Sequence, residues 1–177
     1  VYVSKLEIGP KGPFIMLSRS HYGFVKRLLE IEIPELSDGT IMLYSVARDA
    51  GNRSKIAVYT EYTNVDPIGA VIGEKGRRIA NVLKELSGEK IDVILYDKDP
   101  VKFIANALSP AKDVKVSIKD ETKKEALALV NDKNLSLAIG KKGQNVKLAS
   151  RLTHYKIEVK PEEQENTETT EETSVEE

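Results

Sequence analysis

Two Gly-x-x-Gly segments limit the possible folds of this chain more than any other feature. They read Gly73-Glu74-Lys75-Gly76 and Gly140-Lys141-Lys142-Gly143, and the second begins 67 residues after the first (140 − 73). Around both, the spacing of apolar residues predicts one order of elements: helix, strand, strand, short helix, Gly-x-x-Gly, helix and strand. The sequence therefore predicts an α+β fold built by internal duplication of a module of about 65 to 75 residues.

The same spacing places elements within and before the two copies. In the first copy it predicts a helix whose apolar face ends with Ile31, then strands over about residues 40–47 and 55–60 joined by a turn. In the second copy Asn134 is predicted to cap the short helix that precedes the Gly-x-x-Gly segment. Ahead of both copies, residues 1–20 alternate in polarity as a β-hairpin does, and we expect them to be the last hairpin of a β-domain.

The net charge of −1 conceals two different parts of the chain. The 27 Lys and Arg nearly balance the 28 Asp and Glu, but residues 161–177 hold eight Glu and no basic residue. Without those eight acids the balance is +7, so the body is basic and favours a polyanionic partner, most commonly nucleic acid. The tail has almost nothing to bury and is predicted to be disordered. It is either a solubilising end or an electrostatic mimic that competes with nucleic acid for the body.

What the sequence lacks argues against several classes of function. The chain has no Cys, which rules out disulfides, thiolate metal sites and cysteine nucleophiles and favours a reducing, cytoplasmic setting. No apolar run approaches the roughly 20 residues that a membrane span needs, and no membrane partner is expected. The two histidines, His21 and His154, are far apart in the sequence, and no metalloprotease, nucleotide-binding or serine-hydrolase motif is present. We therefore expect a protein that is not an enzyme and has neither a cofactor nor a metal site.

Three alternatives stay open at this stage. A nuclease would need clustered acids for metal ions, and magnesium-dependent activity on RNA would favour it. A protein-interaction scaffold would bind through apolar contacts that resist salt, whereas binding of nucleic acid through Lys and Arg weakens steeply as salt rises. Double-stranded DNA is the third possibility, but no predicted helix carries the row of Arg and Asn that a major-groove reader needs.

The Gly-x-x-Gly segments suit the binding of a phosphate backbone. Glycine permits a tight turn and a close approach of the ligand, and the following helix points its free N–H groups at the loop. Basic side chains add to this, and neighbouring apolar ones offer a floor on which the bases of a single strand can lie. A plain helix–helix turn is the alternative. The candidate phosphate-binding residues are Gly73, Lys75, Gly76, Arg77, Arg78, Gly140, Lys141, Lys142, Gly143 and Lys147, and the candidate floor is Ile72, Ile79, Ile139 and Val146.

The order of elements resembles that of a type II KH domain, and residues 71–79 look like its signature. The tandem arrangement is also similar to the NusA family of bacterial transcription elongation and termination factors. The segments that carry this likeness are residues 45–51, 65–70, 103–111 and 135–145. The resemblance covers about residues 15–160.

The resemblance implies a domain plan and an RNA-binding function. Residues 1–20 would be the last hairpin of an OB-type barrel, residues 21–98 and 99–160 two rigidly docked KH domains, each a three-stranded sheet with helices on one face, and residues 161–177 the disordered tail. Carried over by position, RNA contacts fall on residues 73–78, Glu74 included, and on residues 140–145, which add Gln144 and Asn145. Arg48 and Arg53 are weaker candidates. Since Glu74 repels phosphate, we expect the second loop to bind the backbone more strongly.

The implied partners follow from the same family. The chain would bind single-stranded RNA as a nascent transcript, and would thereby regulate pausing, termination and antitermination. RNA polymerase and other elongation or antitermination factors would be contacted mostly through regions that this chain does not contain, and a monomer is expected. A ribosome- or rRNA-associated KH protein is a further alternative.

Overall fold

The computed structural model describes residues 1–162 of the 177-residue chain. It begins with an antiparallel hairpin of β1 (Tyr2–Gly9) and β2 (Gly12–Ser18). The disorder predicted for the acidic tail concerns residues outside the described part, apart from residues 161 and 162. Across residues 1–162, no helix has the length and apolar character that crossing a membrane would require.

The first module follows the hairpin directly. Its elements, in chain order, are α1 (Tyr22–Glu32), α2 (Pro34–Ser37), β3 (Met42–Asp49), β4 (Arg53–Tyr59), α3 (Pro67–Ile72), α4 (Arg77–Glu85) and β5 (Lys90–Leu95). The strands form a sheet of order β3-β4-β5, in which β3 is antiparallel and β5 parallel to the central β4. The short α2 was not expected from the sequence.

The second module repeats this plan. Its elements are α5 (Pro100–Ala107), β6 (Lys115–Asp120), β7 (Glu125–Val130), α6 (Asp132–Ile139), α7 (Gln144–Thr153) and β8 (Lys156–Pro161). The sheet has the order β6-β7-β8, again with one antiparallel and one parallel pair around the middle strand. The predicted tandem α+β fold is confirmed.

Side-chain caps show where helices begin. Together with helix periodicity, they also explain two predictions from the sequence that were wrong. Asp66 accepts a hydrogen bond from the backbone N–H of Ile68 and so starts α3. The cap of α6 is Asn131, whose side chain accepts from the N–H of Asn134, so the prediction that Asn134 is the cap was three residues off. Ile31 is 64 % exposed, because it lies two residues, about 200° of helix rotation, beyond the buried Leu29.

The first sheet is buried on both faces, and this joins the modules. Along β4, Ile56 and Val58 belong to the core formed with α1, α3 and α4. Ala57 points the other way, since side chains alternate along a strand, and shares a core with Ile104 and Leu148 of the second module. Helices α5 and α7 therefore lie between the two sheets. The small side chain of Ala57 leaves room for them to approach closely.

A polar cluster around one buried lysine crosses the same junction. Lys55 lies on β4, two residues before Ala57, and is fully buried. Its Nζ donates to the backbone carbonyl of Ser109 at 2.7 Å and to Asp92 Oδ2 at 3.1 Å. Arg53 donates to both carboxylate oxygens of Asp92, at 2.7 and 2.8 Å. Burial lowers the pKa of Lys55, and the Asp92 charge opposes this only in part. The cluster fixes where the second module sits on the first.

Candidate nucleic-acid interface

The two Gly-x-x-Gly loops have nearly identical backbones. Gly73 and Gly140 have φ of 75° and 74°, and the lysine two residues later in each loop has φ of 50° and 53°. A Cβ built on Gly140 would lie 2.7 Å from the Cβ of Asn145, so this position has both a left-handed backbone and no space for a side chain. The duplication thus extends to the conformation of the loops, and the two loops differ only in their side chains.

The second loop borders a cavity between the modules. This basic cleft, as we call it, has a volume of about 690 Å³. Five residues predicted from the sequence line it together: Arg53, Lys141, Lys142, Gln144 and Lys147. Asp49, Gly51, Asn52, Lys90, Leu148 and Arg151 complete the lining.

Positive charge predominates in the basic cleft. Lys141, Lys142 and Lys147 are exposed, so their charges are available to a ligand. The hydrogen bond to Asp92 raises the pKa of Arg53, and that carboxylate takes up part of its charge. The acid in the lining, Asp49, accepts a hydrogen bond of 2.6 Å from Gln144 Nε2 across the junction. The cleft is therefore suited to a polyanion, and Gln144 contributes to it by holding the modules together.

A buried carboxylate holds the turn between β3 and β4 against this cleft. Glu89 is 1 % exposed and accepts hydrogen bonds from Arg48, from Ser54 Oγ at 2.6 Å and from the Gly51 N–H at 3.0 Å. Burial raises the pKa of Glu89, but these hydrogen bonds and the Arg48 charge outweigh it, so that the pKa is lowered overall. The turn that carries Asn52 and Arg53 is fixed in this way.

Arg48 is buried beside Glu89 and does not line the basic cleft. Its side chain is 6 % exposed, and its guanidinium donates to Glu89 and to the backbone carbonyl of His21. The contact of Arg48 with RNA stays a prediction, and the burial of its side chain argues against it. A strand pattern alone could not reveal this, because the partner carboxylate lies 41 residues away in the sequence.

The first loop is less positively charged than the second. Lys75 and Arg77 are exposed, but the acid Glu74 lies between Gly73 and Lys75. Arg78 is held by Glu35, at 2.9 and 3.0 Å, and by the backbone carbonyl of Ala70 at 2.8 Å. A cavity of about 450 Å³ lies beside this loop. That the second loop binds the phosphate backbone more strongly stays a prediction.

Asn145 takes the place that Arg78 has in the first module. It is 4 % exposed, and its Nδ2 donates to the backbone carbonyls of Leu108 and Ala138, both at 3.0 Å. Within residues 1–162 its Oδ1 has no hydrogen-bond partner. The burial of the side chain argues against an RNA contact from Asn145, which stays a prediction. In the structure the residue ties α7 to the helices before it.

The predicted apolar floor is accessible in part. Ile72 is 37 % exposed, and Ile79, Ile139 and Val146 are half-buried. Two basic residues of the cleft, Lys90 and Arg151, were missed by the sequence analysis. Arg151 follows Lys147 by four residues, a spacing that places both on one helix face and could have revealed it. No comparable spacing in the sequence indicated Lys90.

Comparison with known protein families divides the chain into the same two modules as the structure. The model of a NusA-like first KH domain matches residues 19–96, and that of a NusA-like second KH domain matches residues 100–167. The chain belongs to the NusA-like KH family. The two modules together, which we call the NusA-like pair, also have close relatives among curated proteins.

Three of these relatives are each named transcription termination/antitermination protein NusA. The identity is 53 % for that of Halalkalibacterium halodurans, 52 % for that of Bacillus subtilis and 48 % for that of Thermus thermophilus. The matches cover 91, 92 and 89 % of this chain but 42, 43 and 40 % of the relatives, so the NusA-like pair spans less than half of their length. A crystal structure of APE1850 matches with a TM-score of 0.55 and 24 % identity, over 77 % of this chain and 96 % of that one, and shares the fold.

Proposed function

We propose that this NusA-like pair binds single-stranded RNA, and that the second Gly-x-x-Gly loop and the basic cleft hold its phosphates. The observation that carries the proposal is the set of cations around one open cavity at the module junction, with Lys141, Lys142 and Lys147 exposed. Phosphate contacts supply most of the affinity of such interfaces. The half-buried apolar residues beside the loops favour a single strand, because the bases of a duplex are stacked and paired and cannot reach them.

The biological role rests on the family. The relatives are named for transcription termination and antitermination. We therefore propose that the bound RNA is a nascent transcript, and that this binding regulates pausing, termination and antitermination in the bacterial cytoplasm. RNA polymerase and other elongation factors would be contacted mainly by other segments of the longer relatives. We propose that the NusA-like pair is a monomer and that it binds RNA without cleaving it.

The domain plan is part of the proposal. Residues 21–98 and 99–160 form the two KH domains, and residues 1–20 complete a larger β-domain. The second point is supported by the β1–β2 hairpin, in which Leu6, Ile8 and Phe14 are 63, 89 and 57 % exposed. An isolated two-stranded hairpin is marginally stable, and apolar side chains on it need a further layer to cover them.

Fluorescence anisotropy of a labelled RNA of about 12 nucleotides tests this function, since each KH domain holds about four. Affinity should fall steeply between two salt concentrations. The variant Lys141→Asp/Lys142→Asp should lose most of it and have a shallower salt dependence, by about 0.7 in the log–log slope for each lost phosphate contact.

The matched control is Lys75→Asp/Arg77→Asp, which reverses two charges at the first loop. We expect a smaller loss of affinity from it. If the second-loop variant binds as tightly as the parent chain, the loops are structural and the basic cleft is not the RNA site. Magnesium-dependent cleavage of the same RNA would instead favour a nuclease.

A further inference from the structure

A small cavity lies beside β3, an outer strand of the first sheet, where α1 packs against that strand. It has a volume of about 280 Å³, and we call it the β3 pocket. Its lining consists of Tyr22, Lys26, Leu43, Tyr44, Ser45 and Val46. None of these six residues lines the basic cleft or the cavity beside the first Gly-x-x-Gly loop. The β3 pocket is therefore separate from the surface that the two loops form.

A β-bulge turns Tyr44 out of the regular strand. The pairing of β3 with β4 shifts between Leu43 and Ser45, so that Tyr44 is the extra residue. Bulges redirect side chains and are common next to functional sites, and they also disturb the row of backbone groups to which a further strand would pair. The β3 pocket therefore suits a ligand that binds an aromatic ring better than an added β-strand of a partner protein.

The ring of Tyr44 has one stacked face. Its centroid lies 3.8 Å from that of Tyr96, with 17° between the ring planes. Tyr59 and Phe103 meet the Tyr44 ring edge-on, and within residues 1–162 no second ring stacks on it. The side chain is 45 % exposed and lines the β3 pocket. A planar ligand in the pocket can therefore stack on the other face of Tyr44.

Further rings lead from the β3 pocket to the β1–β2 hairpin. Tyr22 lies on the α1 side of the pocket, with its ring centroid 4.5 Å from that of His21. His21 in turn stacks on Tyr2 of β1, with 4.4 Å between the centroids. A Cβ built on Gly23 would lie 2.5 Å from Tyr2 Cε2, so the glycine leaves space for this stack. These rings form an aromatic row: Tyr2, His21, Tyr22, Tyr44 and Tyr96.

Lys26 supplies positive charge beside these rings. It follows Tyr22 by four residues in α1, so both lie on the same helix face. Its side chain is exposed, and no carboxylate of residues 1–162 forms an ion pair with it, because Glu30 is paired with Arg27 instead. Aromatic faces beside a cation are what proteins offer to a single-stranded nucleic acid, whose bases stack and whose phosphates are anionic.

We propose that the β3 pocket binds one nucleotide of a single-stranded RNA, with its base stacked on Tyr44 and its phosphate at Lys26. This inference rests on the proposed RNA-binding function and adds a contact region on the outer strand opposite β5. The aromatic row guides the strand from this pocket toward the hairpin. Because every base has a π face, the site increases the affinity for longer RNAs without selecting a sequence.

Anisotropy of a labelled RNA of about 20 nucleotides, composed of A and C, tests the site. It is long enough to extend beyond the roughly eight nucleotides that two KH domains hold. Tyr44→Leu removes the π face but still covers Phe103, and should lower the affinity at least about fivefold, as the loss of one stacked base predicts. Tyr44→Phe keeps the ring and should bind like the parent chain. Circular dichroism verifies that each variant is folded.

Charge reversal tests the phosphate contact. Lys26→Glu should weaken the same RNA severalfold, because it places an acid beside the bound phosphate. The matched control is Lys11→Glu, which makes the same change of net charge at an exposed position in the turn between β1 and β2. It should reduce the affinity much less than Lys26→Glu does.

Tyr44→Trp gives a direct measurement, because the parent chain contains no Trp. Stacking of a base should quench its fluorescence when the 20-nucleotide RNA binds. If the RNA binds without quenching, or if Tyr44→Leu and Lys26→Glu bind as tightly as the parent chain, the β3 pocket is not an RNA site, although RNA binding at the loops stands. Quenching by micromolar adenosine monophosphate alone would assign the pocket to a free nucleotide and refute the strand contact. If the parent chain shows no salt-sensitive binding of any RNA, the proposed function itself fails.

Discussion

The contacts of the buried Lys55 with Asp92 should make Asp92→Ala much more damaging to stability than Lys55→Met. Without Asp92, the fully buried ammonium of Lys55 has only the Ser109 carbonyl as a partner. Leaving a buried charge uncompensated costs about 3–5 kcal/mol. Without Lys55, Asp92 keeps both hydrogen bonds from Arg53, and the main loss is the unpaired Ser109 carbonyl, at about 1–3 kcal/mol.

The double variant Lys55→Met/Asp92→Ala gives the decisive comparison. It contains no buried ammonium, so it should be more stable than Asp92→Ala alone, although it carries one more substitution. The free energy of unfolding of all four proteins would be measured by urea denaturation followed by circular dichroism. Asp92→Ala within about 1 kcal/mol of the parent chain, or a double variant in which the two losses simply add, would contradict the assignment of Lys55 as a buried charge neutralised by Asp92.

Three further predictions concern the carboxylate at the turn, the loop glycines and the junction. The pKa of Glu89 is lowered in the folded state, so its contribution to stability is complete above the ordinary carboxyl pKa and is lost as pH falls through the lowered value. Between pH 7 and pH 3, the parent chain should therefore lose more stability than Glu89→Gln, as measured by denaturant titrations. Gly140→Ala should destabilise more than Gly143→Ala: both replace a left-handed glycine at about 1–2 kcal/mol, but only Gly140 lacks space for the Cβ, and thermal denaturation measures the difference. Ala57→Leu overfills the junction and should cost about 1–3 kcal/mol, while amide exchange should quicken in α7; unchanged protection there would contradict the shared core.

The sequence was sufficient for features that depend on local spacing and on the repeat. The order of elements, the two loops and the positively charged second loop all follow from residues close together in the chain. The sequence could not reveal burial that depends on partners far away in the chain. Arg48 and Asn145 have the character of surface polar residues, but both are held inside by partners 41 and 37 residues away. The basic cleft likewise exists only because the first sheet is covered on its second face, and no pattern within one module specifies that contact.

The shared core has a consequence for the order in which the chain is made. Synthesis completes the first sheet at Leu95, but α7, which covers its second face, begins about 50 residues later, at Gln144. At about 5–20 residues per second, that face meets solvent for several seconds on the ribosome. In this face the large aliphatic Ile94 lies among the small Ala47 and Ala57 and the charged Lys55, and such a surface resists association with other unfinished chains. The residues that later allow close packing therefore also protect the half-made protein.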